Sequence, residues 1–152
     1  MMNAESAEKS PLANLIQIGV VVKDLEQAME RFKALGVGPF YNKTPPPNSK
    51  TLYRGQPMVS AERVKIMAAM LGNCELELVQ PLQGASPHRE YLEAKGEGIQ
   101  HLGFLVDDLE KSTEKLKAGG SSIVMTGRRP DGSGVTYLDL EVAGVIVELI
   151  KH

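Results

Sequence analysis

Four side chains in this sequence carry metal-ligand chemistry, and they fall at matching places around two copies of one element. From Ile16 the chain reads IQIGVVVKDLEQAMERFKALG, and from Gln100 it reads QHLGFLVDDLEKSTEKLKAGG. At a constant offset the copies agree at Gly19/Gly103, Val22/Val106, Asp24/Asp108, Leu25/Leu109, Glu26/Glu110 and Gly36/Gly120, among others. The alignment pairs Gln17 with His101. Each copy is followed by an apolar run holding a glutamate, CELELVQ around Glu77 and VIVELIK around Glu148. An imidazole, an amide oxygen and two carboxylates make a mostly oxygen, hard-to-borderline set. It suits Mn²⁺, Co²⁺, Ni²⁺ or Zn²⁺ in an octahedral shell with two positions left for water or substrate. It lacks the two-histidine, one-carboxylate pattern of oxygen-activating iron. Such an ion chelates two oxygens of a hydroxycarbonyl or 1,3-dicarbonyl substrate and stabilises the enediolate left when an α-proton departs. Glu148 is the first candidate to carry that proton and Glu77 the second.

Taken singly, each glutamate reads as a solvated strand residue and His101 as a satisfied structural histidine. The repeat changes that weighing, because chance would have to place metal-capable groups at corresponding positions four times.

The elements that must position these groups follow from local pattern. Residues 15–22 form a β-rich run, read as a largely buried strand. Asp24 caps the helix that follows, which gathers Leu25, Ala28, Met29, Phe32 and Leu35 on one face and stops at Gly36. A long loop spans 39–60. Pro45, Pro46 and Pro47 exclude helix interior and central strand there, leaving room for one short strand near 51–54. Strands at 63–70 and 75–79 make a hairpin, and a short helix at 86–94 starts on Ser86 and Pro87. The second half repeats the order: a strand at 99–106, a helix at 109–118, and strands at 122–126, 135–140 and 145–150. Each half is therefore βαβββ. The expected class is α+β, with two tandem βαβββ modules whose curved mixed sheets enclose a metal cleft. Module one covers 12–82, a linker helix lies in 83–96, module two covers 97–152, and residues 1–11 read as a flexible tail.

The bulk numbers restrict the rest. A chain of 152 residues suits one domain, or two small halves sharing a core. Its composition, 42% hydrophobic and 24% charged, is that of an ordinary globular protein, and a formal charge of −2 gives no general pull toward nucleic acid or anionic membrane. No apolar run approaches the roughly 18 residues of a membrane span, and MMNAESAEKSP lacks a signal-peptide core. The single cysteine, Cys74, fits a reducing cytoplasm. Exposed sheet edges and apolar surface around Met58, Met67 and Met70 predict a homodimer.

The two-module pattern and its four polar positions resemble the vicinal oxygen chelate superfamily, which includes glyoxalase I, methylmalonyl-CoA epimerase, extradiol dioxygenases and bleomycin-resistance proteins. In that superfamily the first and last strand of each module supply one ligand each. The resemblance covers about 12–151 and places Gln17, Glu77, His101 and Glu148 as the metal ligands. The segment ELELVQPLQGASPHREYLEAKGEGIQHLGFLVDDL is most similar to methylmalonyl-CoA epimerases, through LELVQPL, Ser86–Pro87 and the Gly-Ile-Gln-His approach to His101.

The resemblance implies an epimerase or isomerase acting on an acyl-CoA or other thioester. Two alternatives stand beside it: a lactoylglutathione lyase of glyoxalase I type, and a non-catalytic small-molecule binder of bleomycin-resistance type. The chain also departs from the epimerase pattern. Gln17 stands where epimerases usually have histidine. Lys65 stands where some carry a second acidic base, and Asp139, Leu140 and Glu141 replace a usual His-Pro. Lys65, Arg128 and Arg129 are candidate substrate contacts, the arginines as a clamp for carboxylate or phosphate. His88, near a helix start, and His152, at the end, are given no catalytic role.

Overall fold

The computed structural model describes residues 9–152, so most of the predicted tail lies outside the described residues. Among them, ten strands form one mixed sheet in the order β2-β5-β6-β1-β7-β10-β9-β8-β3-β4. The first half contributes β1 (Leu15–Val21), α1 (Leu25–Ala34), β2 (Tyr41–Asn42), β5 (Val64–Leu71) and β6 (Cys74–Pro81). The second contributes β7 (Gly98–Leu105), α4 (Leu109–Ala118), β8 (Ser122–Arg128), β9 (Gly134–Asp139) and β10 (Ile146–Lys151). Between them lies α3 (Pro87–Lys95), where the Ser86 hydroxyl accepts the Arg89 N–H at 3.0 Å as its N-cap. The repeated Asp24 and Asp108 cap α1 and α4 in the same way, accepting from the Gln27 and Lys111 amides at 3.0 and 2.9 Å.

Strand alternation separates two faces. On the outer face, Leu76 and Leu78 of β6 pack with Leu25 and Met29 of α1, while Val147 and Leu149 of β10 pack with Phe104 and Leu109. Each helix therefore covers its own half. On the inner face the same strands present Glu77 and Glu148. β1 and β7 run antiparallel down the middle and join the halves, and each pairs in parallel with the last strand of its module.

One strand lies elsewhere than the sequence predicts. The short strand foreseen near 51–54 exists as β3 (Lys50–Tyr53), but it does not fill the second-strand slot of the first half. That slot holds only the two residues of β2, paired with β5. β3 forms a hairpin with β4 (Gln56–Met58) and pairs with β8, the outer strand of the other half. The prolines at 45–47 explain the change. They lack amide donors, so β2 cannot extend, and the chain is carried across the cleft before pairing resumes. The hairpin and the short helix α2 (Ser60–Arg63) then cover the inner face. Of the three methionines assigned to apolar surface, Met58 lines the cleft and Met67 packs on the first core cluster; only Met70 is exposed.

Candidate metal centre

Two glycines make the floor of the cleft passable. In the β1/β7 ladder Gly19 faces His101 and Gly103 faces Gln17. On their other sides Gly19 pairs with Glu77 and Gly103 with Glu148. Each glycine is therefore flanked by two of the four predicted ligands. A Cβ on Gly19 would stand 2.0 Å from the His101 ring, and one on Gly103 would stand 2.7 Å from Gln17 Cβ. Any larger residue would displace the opposing side chain. The Gly19/Gly103 identity in the repeat thus has a steric cause.

The four side chains converge, all of them buried. His101 Nε2 lies 3.1 Å from Glu148 Oε2, 3.2 Å from Gln17 Oε1 and 3.7 Å from Glu77 Oε1. Ligand atoms of Glu77, His101 and Glu148 all lie within 4.8 Å of one another.

Hydrogen bonds around the cluster fix its polarity. The Gln100 amide donates to the Pro87 carbonyl at 3.0 Å, which turns its Oε1 toward His101 Nδ1, also at 3.0 Å. The ring proton therefore sits on Nδ1, and Nε2 presents a lone pair to the oxygens. The Gln17 amide donates to Glu75 Oε1 and Glu77 Oε2, both at 2.9 Å, so its Oε1 also faces inward. Glu75, half-buried, is held in turn by the Tyr41 hydroxyl and the Lys43 ammonium.

The His101 Nε2 lone pair, Gln17 Oε1 and Glu148 Oε2 thus meet, and among the described residues Glu148 Oε2 has no hydrogen-bond donor. Such a cluster is unfavourable unless a cation sits in it. The charge states agree. Burial first, and the Glu148 charge second, push Glu77 up to about 8. For His101, burial favours the neutral ring, but the Glu148 carboxylate 3.1 Å from Nε2, with the charge of Glu77, raises its pKa overall. Both shifts pull protons into the space where positive charge is lacking. A divalent ion fits this donor set, whose members come from both halves.

The cavity at the cluster measures about 160 Å³, room for a small acyl group beside an ion. Arg128 and Arg129 line it, but Arg128 is held by Glu110 at 2.8 Å, by the Gly127 and Val135 carbonyls and by Thr136. Arg129 reaches Ser133 at 3.3 Å. Lys65 is exposed and does not line the cavity, whereas its neighbours Val64 and Ile66 do. Three other lining residues were not foreseen: Lys43, Tyr137 and His88. Tyr137 is buried and pairs in register with Glu148. Burial, then the charges of Glu148 and Glu77, hold its phenol well above the usual range. The inward alternation of Val135 and Tyr137 on β9 was the available signal. His88 had none, because a residue in the first turn of a linker helix carries no periodicity.

Residues 16–138 match the profile of the Glyoxalase/Bleomycin resistance protein/Dioxygenase superfamily, and the chain belongs to that family. It is 30% identical over 99 residues to the uncharacterized protein YqjC of Bacillus subtilis (strain 168), an alignment spanning 63% of this chain and 71% of that protein. The fold is similar to a methylmalonyl-CoA epimerase from Mycobacterium tuberculosis, with a TM-score of 0.70 and 21% identity over 99% of this chain and 92% of that one. It is also similar to a Streptomyces coelicolor methylmalonyl-CoA epimerase in complex with 2-nitronate-propionyl-CoA, with a TM-score of 0.69 and 21% identity over 91% of this chain and 96% of that one. At this identity the likeness concerns the fold.

Proposed function

We propose that this protein is a divalent-metal-dependent epimerase or isomerase of a small acyl thioester, methylmalonyl-CoA in the simplest case. Gln17, Glu77, His101 and Glu148 hold the ion. The observation that carries the reading is the convergence of His101 Nε2, Gln17 Oε1 and two buried carboxyl groups on one point. When bound, a divalent ion supplies Lewis-acid stabilisation of the negative charge that grows on a substrate oxygen as the α-proton leaves.

The chain's own groups do the rest. Glu148 accepts the α-proton, its carboxylate lining the cavity beside Tyr137, with which it pairs across the β9/β10 ladder. Glu77 is the second carrier. Two carriers working on opposite faces of the carbon give epimerisation, whereas one carrier returning the proton to the next carbon gives a glyoxalase-type isomerisation. Arg129 and Lys43 offer positive charge at the cavity wall for an anionic substrate group.

Glu148→Gln keeps shape and an oxygen ligand but removes the base. Metal content should persist while α-proton exchange of methylmalonyl-CoA in D₂O falls at least about 100-fold, the lower bound for general base catalysis. His101→Ala should lose metal and exchange together. Full-rate exchange in Glu148→Gln would remove Glu148 as the base. A metal-loaded wild type that exchanges no thioester proton, yet turns over a glutathione hemithioacetal, would replace the epimerase reading with the lyase.

The protein is further proposed to act in the cytoplasm as a homodimer. The outer edge strand β2 is only two residues long, and Tyr41, Met70 and Leu71 beside it are exposed. Sedimentation at tens of micromolar, roughly the range in which a specific interface is populated, should give the dimer mass; a monomer there overturns this.

A further inference from the structure

His88 has no task in that mechanism, yet its surroundings are those of a working group. It is the second residue of α3, directly after Pro87, and its ring is only 3% exposed. Among the described residues neither ring nitrogen has a hydrogen-bond partner. The ring lines the same cavity as the four proposed ligands. It meets His101 and Tyr137 edge-on, with ring centroids 6.3 and 5.7 Å away, and Tyr137 meets His101 in the same way at 5.0 Å. Three rings therefore form one continuous wall beside Glu148. A buried imidazole with two bare nitrogens loses its hydration and recovers nothing within the protein, so an apolar residue of similar shape would serve the core better. The missing partner belongs in the cavity.

We propose that His88 is a further catalytic residue, whose ring N–H donates a hydrogen bond to a carbonyl or carboxylate oxygen of the bound substrate as that oxygen gains charge. This rests on the metal-site reading above. Its position is right, because the ring shares a wall with the proposed base and the proposed nitrogen ligand. Its chemistry is right as well. A neutral imidazole carries one N–H and one lone pair, and with both ring nitrogens buried and unpartnered the ring has a donor to offer the substrate. A neutral imidazole polarises an oxygen without setting a full positive charge beside a divalent ion, and a helix N-terminus favours that neutral form.

The test uses zinc-loaded protein labelled with ¹⁵N-histidine and titrated with acetohydroxamate, a small chelator that presents two oxygens to a metal. Wild type, His88→Gln and His88→Phe are compared for zinc content, thermal midpoint and calorimetric affinity for acetohydroxamate. All three should hold zinc. His88→Phe should melt no lower than wild type but bind the probe about tenfold more weakly, as expected for one lost hydrogen bond. His88→Gln, which retains a donor, should recover most of that affinity. One His88 ring-nitrogen resonance should shift when the probe binds. Equal affinity in zinc-loaded His88→Phe, an unmoved His88 signal, or a zinc-loaded wild type that ignores the probe would overturn the His88 role alone. A wild type that takes up no zinc would overturn the metal-site reading and this inference with it. Should His88→Phe not fold, His88→Gln and the labelled wild type still decide.

Discussion

Glu77 is buried against Glu148, and in the metal-free protein it keeps its proton at neutral pH because burial and that neighbour push it up to about 8. Burial favours a neutral His101, but the Glu148 and Glu77 carboxylates outweigh it and raise the ring's affinity for a proton. A group whose folded pKa is raised favours the folded state at low pH and loses that contribution as pH climbs through the folded value. For Glu77 the loss spans the interval from its ordinary value of 4.5 to about 8. A cation reverses the sign, since it requires the carboxylate and the neutral imidazole. Metal affinity should therefore fall as pH drops below about 8, and binding at pH 7 should release protons. Calorimetry in buffers of different ionisation enthalpy reads the release directly; an enthalpy independent of buffer would mean that Glu77 is already ionised without metal. His88 runs the other way. Its lowered pKa leaves the unfolded chain binding the extra proton between about 3 and 6.5, so its share of stability is lost as pH falls through that window.

At the scale of elements, the β3–β4 hairpin matters most, because it belongs to one half by sequence and to the other by hydrogen bonding. It brings Thr51 and Met58 over the cavity, and the Thr51 hydroxyl accepts from Ser60 at 3.0 Å. Its tip is fastened to α3. Arg54 donates to both oxygens of Glu90 at 2.7 and 2.8 Å, and the Tyr53 hydroxyl donates to the same carboxylate. Exposed ion pairs contribute only about 0–1 kcal/mol, so Glu90→Ala should scarcely move the melting temperature. It should instead speed amide exchange across 51–58 while leaving β6 and β10 protected. Unchanged exchange in the hairpin would mean that the β3–β8 ladder holds it alone.

The same hairpin marks the limit of what the sequence discloses. Leu15, Asp24 and Ser86 announce their elements through alternation and caps, which are local signals. The partner of 51–54 depends on where the prolines at 45–47 send the chain, and no local pattern encodes that. The four proposed ligand positions, which the structure brings together, stood out because the repeat wrote them twice. Gln100, Glu75, Tyr137 and His88 each occur once, and each is recognisable only from what it touches.

The molecule as a whole is two similar halves joined along the β1/β7 seam, and its polar centre lies across that seam. Gln17 and Glu77 come from one half, and His101 and Glu148 from the other. Without a cation, Glu77 must keep a proton for the halves to close over Glu148; with one, both carboxylates and the imidazole draw the halves together. Metal should therefore act as a clasp on the fold as well as a centre for chemistry. Ligand binding stabilises by RT ln(1 + [L]/Kd), about 4 kcal/mol when free metal stands at a thousandfold its Kd. For a domain of this length each kcal/mol raises the melting temperature by about 2–4 °C, so saturation should lift it by about 8–16 °C. A chelator should take it back, and His101→Ala should show neither change. A melting temperature indifferent to metal and chelator in the wild type would mean that the buried carboxylates are reconciled by protons alone, and the cleft would then be a binding pocket without a metal centre.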